Sequence, residues 1–401
     1  MAATHSTLPR VRATFLLLLA ASLLVACAGP VPLSRSRPGP ATTTAPPPPA
    51  STALAPSYPP PEVPIPRLAA PVPSPTIVAQ PTSDTICLVL PLESPLYGPA
   101  AAAVKAGFLA AADAAGSASR TRIIAHGDDG VLPAFAVAAE SGAALVVGPL
   151  TRDDLKTVLA LALTRPRMLA LNQQEDGSAL PGEVYALSLS VESDAELLAR
   201  RAYADGARTM ATVASDAPLQ RRFKAAFSAA WERTGGSTTR DYRFDARPEV
   251  LGLLRRELIA RPPDATLLAL NADEAPLAKS FLPPGPVYAS SQIADGLPAP
   301  MLRDLEGVRY VEIPWLADPA DVIFARLPHT SLGDPVLDRL YALGLDAFAI
   351  AELLANPIPP DRVEFEGATG HLSLTPAHVF VREGQIMVIR AGQPTPYAPT
   401  P

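Results

Sequence analysis

The sequence predicts an α/β fold in which two parallel-sheet lobes share one chain. Three observations carry this. Apolar runs of four to six residues, too continuous for strands with a wet face, alternate with amphipathic helices, the pattern of a parallel sheet covered on both sides. The alternation starts afresh midway along the chain. The patterned region, about 300 residues, is also more than one sheet's core usually supports.

In order, "TICLVLPL" reads as a buried strand and Pro99–Ala115 as an alanine-rich helix with Val104, Phe108 and Ala112 on one stripe. "TRIIAHG" is a strand, Leu132–Ser141 a helix, "AALVVGPL" a strand, Arg152–Thr164 a helix and "RMLALNQ" a strand. After "VYALSLS" and a helix over Val191–Asp205, the second round runs through "RTMATVAS", Leu219–Thr234, "STTRDYRF", Glu249–Ala260, "ATLLALN", "EAPLAKSF" and "GPVYASSQ". "GVRYVEIPW" is a strand, Pro335–Leu354 a long helix, and "GATGHLSL", "VFVR" and "QIMVIR" form a closing hairpin region. These late elements should complete both lobes, with the chain crossing between them more than once. The expected division is residues 84–188 and 314–356 for lobe 1, 189–313 and 357–392 for lobe 2, and a disordered tail over 393–401.

The first 83 residues read differently. Arg10 and Arg12 precede an apolar run of 14 residues, Ala13–Ala26, which falls short of the roughly 20 needed to span a bilayer and fits a secretory signal. It ends in Leu24-Val25-Ala26-Cys27, the form of a bacterial lipobox, so residues 1–26 read as a lipoprotein signal peptide and Cys27 as the lipidated residue. An ordinary signal peptide that happens to contain a cysteine is the alternative. Residue 28 is Ala and not Asp, which by the usual sorting rule addresses the outer membrane. Eighteen of the 54 residues from Ala28 to Pro81 are proline. Such a segment cannot bury enough apolar surface to order itself, and as polyproline II it reaches at most about 170 Å. Residues 27–83 therefore read as a disordered tether, either a periplasmic spacer or a means of keeping the body off the lipid.

A net charge of −6 argues against nucleic acid and against a polybasic membrane contact. Cys87, the one other cysteine, lies in an apolar strand and reads as a small buried hydrophobe. No nucleophile elbow, phosphate-binding loop or HExxH motif occurs. "HGDDG" reads as a polar turn and not a metal site, and His371 and His378 read as surface residues. With no acid–base pair at a spacing that demands chemistry, no catalytic residue, metal or cofactor is expected.

In open α/β sheets, ligands sit outside the carboxyl ends of the strands. The loops at those ends nominate an interlobe cleft lined by Glu93, Ser94, Tyr97, Asp128, Gly148, Thr151, Asn172, Gln173, Ser215, Asp216, Asn271 and Ser290. Thr151 followed by Asp153 and Asp154 also fits a helix start, with Thr151 or Arg152 near the cap.

Two stretches carry a family resemblance. "ICLVLPLESPLYGPAAAAVKAGFLAA" resembles the opening strand, loop and helix of type I periplasmic-binding-protein folds. "LYALGLDAFAIAELL" with "FEGATGHLSL" and "VFVREGQIMVI" resembles the closing part of LppC/LpoA family lipoproteins. The resemblance implies a two-lobed fold over residues 84–392 and a role in activating a class A penicillin-binding protein at the outer membrane. Better-known members carry a helical N-terminal domain, in whose place this chain has the tether. The second reading is a solute receptor for an amino acid or similar small molecule, with Thr151 suitably placed. Against it, "ASDAPLQRRF" has Leu219-Gln220 where such receptors often have Tyr-Gly.

Overall fold

The computed structural model describes residues 83–160, 165–174, 178–356 and 362–398. The expected signal peptide, Cys27 and nearly all of the tether lie outside the described residues. The first pass through lobe 1 contains β1 (Ile86–Leu90), α1 (Gly98–Ala114), β2 (Thr121–Ala125), α2 (Leu132–Glu140), β3 (Leu145–Val147), α3 (Arg152–Ala160), β4 (Met168–Ala170) and β5 (Val184–Leu187). Lobe 2 follows with α4 (Val191–Ala204), β6 (Thr209–Ala214), α5 (Pro218–Arg233), β7 (Ser237–Arg243), α6 (Pro248–Ala260), β8 (Ala265–Ala269), α7 (Ala275–Phe281), β9 (Val287–Ala289), α8 (Ala299–Leu302) and β10 (Val308–Glu312). The chain returns to lobe 1 for α9 (Pro314–Ala317), α10 (Pro335–Leu354), β11 (Glu364–Gly367), β12 (Gly370–Leu374) and β13 (Val379–Glu383). It ends in lobe 2 with β14 (Gln385–Arg390) and β15 (Gln393–Pro396).

Among the described residues the strands form two sheets, ordered β11-β12-β13-β5-β4-β3-β1-β2 and β15-β14-β10-β9-β8-β6-β7. β1 shows why the strands read as unbroken apolar runs. All five residues are fully buried, yet Ile86, Leu88 and Leu90 pack in one core with α1 and α10, while Cys87 and Val89 pack in another with α2 and α3. The period of two is intact, with both faces apolar. β6 repeats this in lobe 2, with Met210 and Ala214 on one side and Ala211 and Val213 on the other.

α10 packs on α1 through two glycines. A Cβ on Gly107 would lie 1.9 Å from the Tyr341 carbonyl oxygen, and one on Gly344 would lie 2.1 Å from that of Val104. Both positions demand glycine because one helix's backbone occupies the other's side-chain space. Phe108 and Phe348 meet edge to face at 5.3 Å in the same seam.

The end of the chain departs from the expected division in three ways. β11, β12 and β13 join the lobe 1 sheet, β13 running parallel to β5, so residues 364–383 do not belong to lobe 2. "VFVR" and "QIMVIR" do not pair with each other either. They lie in different sheets because Gly384 carries the chain across, at a point where a Cβ would be 2.6 Å from Val311 Cγ1. Finally, residues 393–396 form an edge strand inside the expected disordered tail. Pro394 and Pro396 alternate with Gln393 and Thr395, and Tyr397 N–H donates to Ile386 at 2.8 Å. The prolines thus take the outward positions where no ladder hydrogen bond is lost.

Candidate functional site: the interlobe cleft

The carboxyl ends of the lobe 1 strands face lobe 2 across a cavity of about 490 Å³. Leu150 and Thr151 enter it from the loop after β3, Asn172 from after β4, and Ser188 and Ser190 from after β5. Tyr97 from the start of α1 and Leu340 from α10 complete that wall, and Leu219 and Arg222 of α5 close it from lobe 2. An adjoining cavity of about 230 Å³ shares Leu189, Val191, Leu219 and Leu340, and adds Asp194, Ser290, Glu312, Arg339 and Arg382.

Most polar groups named here already have partners within the chain. Thr151 caps α3: its hydroxyl accepts from Asp154 N–H (3.1 Å) and donates to the Asp154 carboxylate (2.6 Å), a reciprocal cap. Ser190 caps α4 in the same way, accepting from Ser193 N–H and donating to Glu192. Asn172 donates to the Leu150 carbonyl and accepts from Arg152 and from Gln173 N–H. Arg222 pairs with Glu192 at 2.7 Å, which holds the Glu192 carboxyl below its ordinary pKa despite burial.

Arg339 projects from α10 between two lobe 2 carboxylates. Its donors reach Asp295 at 2.8 and 3.0 Å and Glu312 at 2.7 and 2.9 Å. Arg382 on β13 donates through Nη2 to both oxygens of Asp194 in α4 at 2.7 Å and through Nη1 to the Thr369 carbonyl at 3.1 Å. Thr369 belongs to the β11–β12 turn, which Asp346 of α10 holds from beneath. Ala368 and Thr369 N–H each donate to that carboxylate at 2.7 Å, and the Thr369 hydroxyl at 2.6 Å. Burial pushes the Asp346 carboxyl up to about 6, against the pull of those donors.

Of the residues nominated from sequence, Tyr97, Thr151 and Asn172 line the larger cavity and Ser290 the smaller. The others serve the loops beside it. Ser94 accepts from Tyr97 N–H ahead of α1, and Gln173 is tied to Asn172 through its backbone. Gly148 is required by a φ of +116° and by the Val89 carbonyl 2.1 Å from any Cβ. Asn271 accepts from Asp273 and Glu274 N–H at the head of α7. Glu93, Asp128 and Asp216 are exposed, Asp216 paired with Arg243, and Ser215 is half-buried at the end of β6. Outside the cleft, Cys87 is buried as expected, and Asp129 closes the "HGDDG" turn by accepting from Gly127 N–H at 3.0 Å. His371 lies on the edge hairpin between Glu364 and Glu366, and His378 stacks on Tyr185.

Sequence reasoning missed the arginines and carboxylates that join the lobes. A usable signal was present: Asp338, Arg339 and Asp346 interrupt a mainly apolar helix at buried or half-buried positions, and Arg382 is buried in β13. A charge at a core position needs a partner.

A family model described as "LppC putative lipoprotein" matches residues 76–254 and 258–391. The chain belongs to the LppC family. Proteins named "Penicillin-binding protein activator LpoA" are 28% identical over 289 residues in Edwardsiella piscicida and 29% over 270 in Glaesserella parasuis. These alignments cover 60% and 64% of this chain but 41% and 45% of theirs, so the chain spans less than half the length of these curated relatives. The C-domain of Haemophilus influenzae LpoA, described as a regulator of PBP1A, matches with a TM-score of 0.65 at 23% identity, covering 78% of this chain and 100% of that one. A Chromobacterium violaceum structure titled "putative branched-chain amino acid ABC transporter" matches with a TM-score of 0.66 at 33% identity, covering 76% and 99%. The family's fold is the two-lobed periplasmic-binding-protein-like architecture described above. Among the described residues no helix is long and apolar enough to cross a membrane.

Proposed function

We propose that this chain is an outer-membrane lipoprotein, anchored through Cys27, whose body binds a class A penicillin-binding protein in the periplasm and stimulates peptidoglycan synthesis. It acts by binding and not by catalysis. The observation that carries this reading is the family match over residues 76–254 and 258–391, which takes in nearly the whole two-lobed body. Relatives named as penicillin-binding protein activators align with this body over less than half their own length. The body alone is therefore assigned the partner-binding role, with the proline-rich stretch after Cys27 supplying reach. In vivo crosslinking from the body, followed by partner identification, tests it: a cell-wall synthase is expected among the captured proteins, and its absence would sink the reading.

The second reading, a solute receptor, draws on the similarity to the Chromobacterium protein and on the volume of the cleft. The cleft's chemistry favours it less. The Thr151, Asn172, Ser190 and Arg222 side chains are engaged within the chain. At the Leu219-Gln220 position, Gln220 turns away to donate to Gln292 at 2.7 Å. A melting-temperature rise with an amino acid, through linkage, would favour this second reading.

A further inference from the structure

We propose that the cleft is locked and not hinged: Arg339 and Arg382 hold the two lobes in one fixed arrangement, so the body meets its partner as a single rigid block. This is independent of which protein that partner is. A solute receptor keeps its cleft groups free so that a ligand can draw the lobes together. Here the lobes draw on each other. Arg339 comes from the lobe 1 core helix α10, whereas Asp295 follows β9 and Glu312 ends β10 in lobe 2. The three side chains are 13%, 18% and 10% exposed. Glu312 also accepts from Ile313 N–H at 2.9 Å, so the same carboxylate braces the strand that crosses between lobes.

Arg382 makes the second grip from a different element. Its side chain is 4% exposed, and it spans from Thr369 in lobe 1 to Asp194 in the first turn of α4. Arg339 forks onto each of its carboxylates through two nitrogens, which fixes direction as well as distance. Arg382 reaches both Asp194 oxygens through Nη2 and Thr369 through Nη1. Two such grips, from α10 and β13 onto the β9 loop and α4, block rotation about either one alone. Opening would part Asp295 from Arg339. Closing would require Leu189, Val191, Leu219 and Leu340, the apolar residues that line both cavities, to repack.

The test is a pulsed electron-spin distance measurement on the full chain, with Cys27→Ser so that only the introduced pair is labelled, Cys87 being buried. Labels go on the exposed positions Lys156 in lobe 1 and Arg255 in lobe 2, through Lys156→Cys and Arg255→Cys. One narrow distance is expected, unchanged by millimolar leucine, isoleucine or valine. Arg339→Met should broaden it severalfold or add a second population while thermal unfolding stays cooperative. Should Arg339→Met not fold, Asp295→Ala removes only the outer partner, keeps the Glu312 pair, and should broaden the same distance. Two distances in the parent protein, a shift on adding an amino acid, or a folded variant that keeps the narrow distance would each overturn the lock.

Discussion

Asp346, buried in the middle of α10, holds the turn at Thr369 through that residue's backbone N–H and its hydroxyl, 2.7 and 2.6 Å from one carboxylate oxygen. The other oxygen takes Ala368 N–H. One side chain thus welds the lobe 1 core helix to the edge hairpin, and Arg382 carries the connection on from the Thr369 carbonyl to Asp194 in lobe 2.

Replacing Asp346 with Ala leaves two buried N–H groups and a hydroxyl without an acceptor. Each unsatisfied group costs about 1–3 kcal/mol, and a combined loss on the order of 3 kcal/mol is expected in urea unfolding. Asp346→Asn, which keeps an acceptor oxygen, should lose less. Equal losses for the two variants would show that the acceptor is not what matters.

The same carboxyl predicts a pH dependence. Its folded-state value, about 6, lies above the ordinary 3.8 because burial disfavours the charge. The folded state therefore holds the proton more tightly, and the resulting stability is fully present below about pH 4 and lost as pH rises through about 6. The gap in unfolding free energy between the parent protein and Asp346→Asn should widen as pH falls from 7 toward 4. A gap that stays constant across that range would contradict the assignment.

At the α1–α10 seam, Gly344→Ala places a methyl group 2.1 Å from the Val104 carbonyl oxygen. The helices must separate, at a cost of roughly 3 kcal/mol or more. Gly252→Ala is the control, since a Cβ there meets nothing within 4 Å. The denaturation midpoint should fall sharply for the first variant and hold or rise for the second.

Much of this was legible in advance. In a parallel sheet both faces are apolar and helix period differs sharply from strand length, so the order of elements followed from the sequence, as did the buried state of Cys87 and the Thr151 cap. The stretches around Gly107 and Gly344, far apart in sequence, carried the family resemblance, and they prove to pack on each other. The lobe membership of β13 and β14 was hidden because nothing local tells "VFVR" from "QIMVIR". The pairing of β13 with β5 and of β14 with β10 settles it. The cleft was only partly visible for a similar reason. A polar residue in a strand-end loop can serve to close a turn, as Asn271 does, instead of facing a cavity.

The anchor is tested by Cys27→Ala. The variant should leave the membrane fraction and accumulate as soluble or unprocessed protein, with the folded body unaffected. Unchanged outer-membrane fractionation would refute lipidation at that residue.

Activation of a cell-wall synthase by the body can be measured in a reconstituted system. A class A penicillin-binding protein from the same bacterium is supplied with lipid-linked peptidoglycan precursor, and glycan polymerisation and peptide cross-linking are followed with and without the purified body, residues 84–398. A saturable, severalfold rise in synthesis that tracks formation of a complex is expected. No complex, and a synthesis rate unchanged at saturating body, would contradict it.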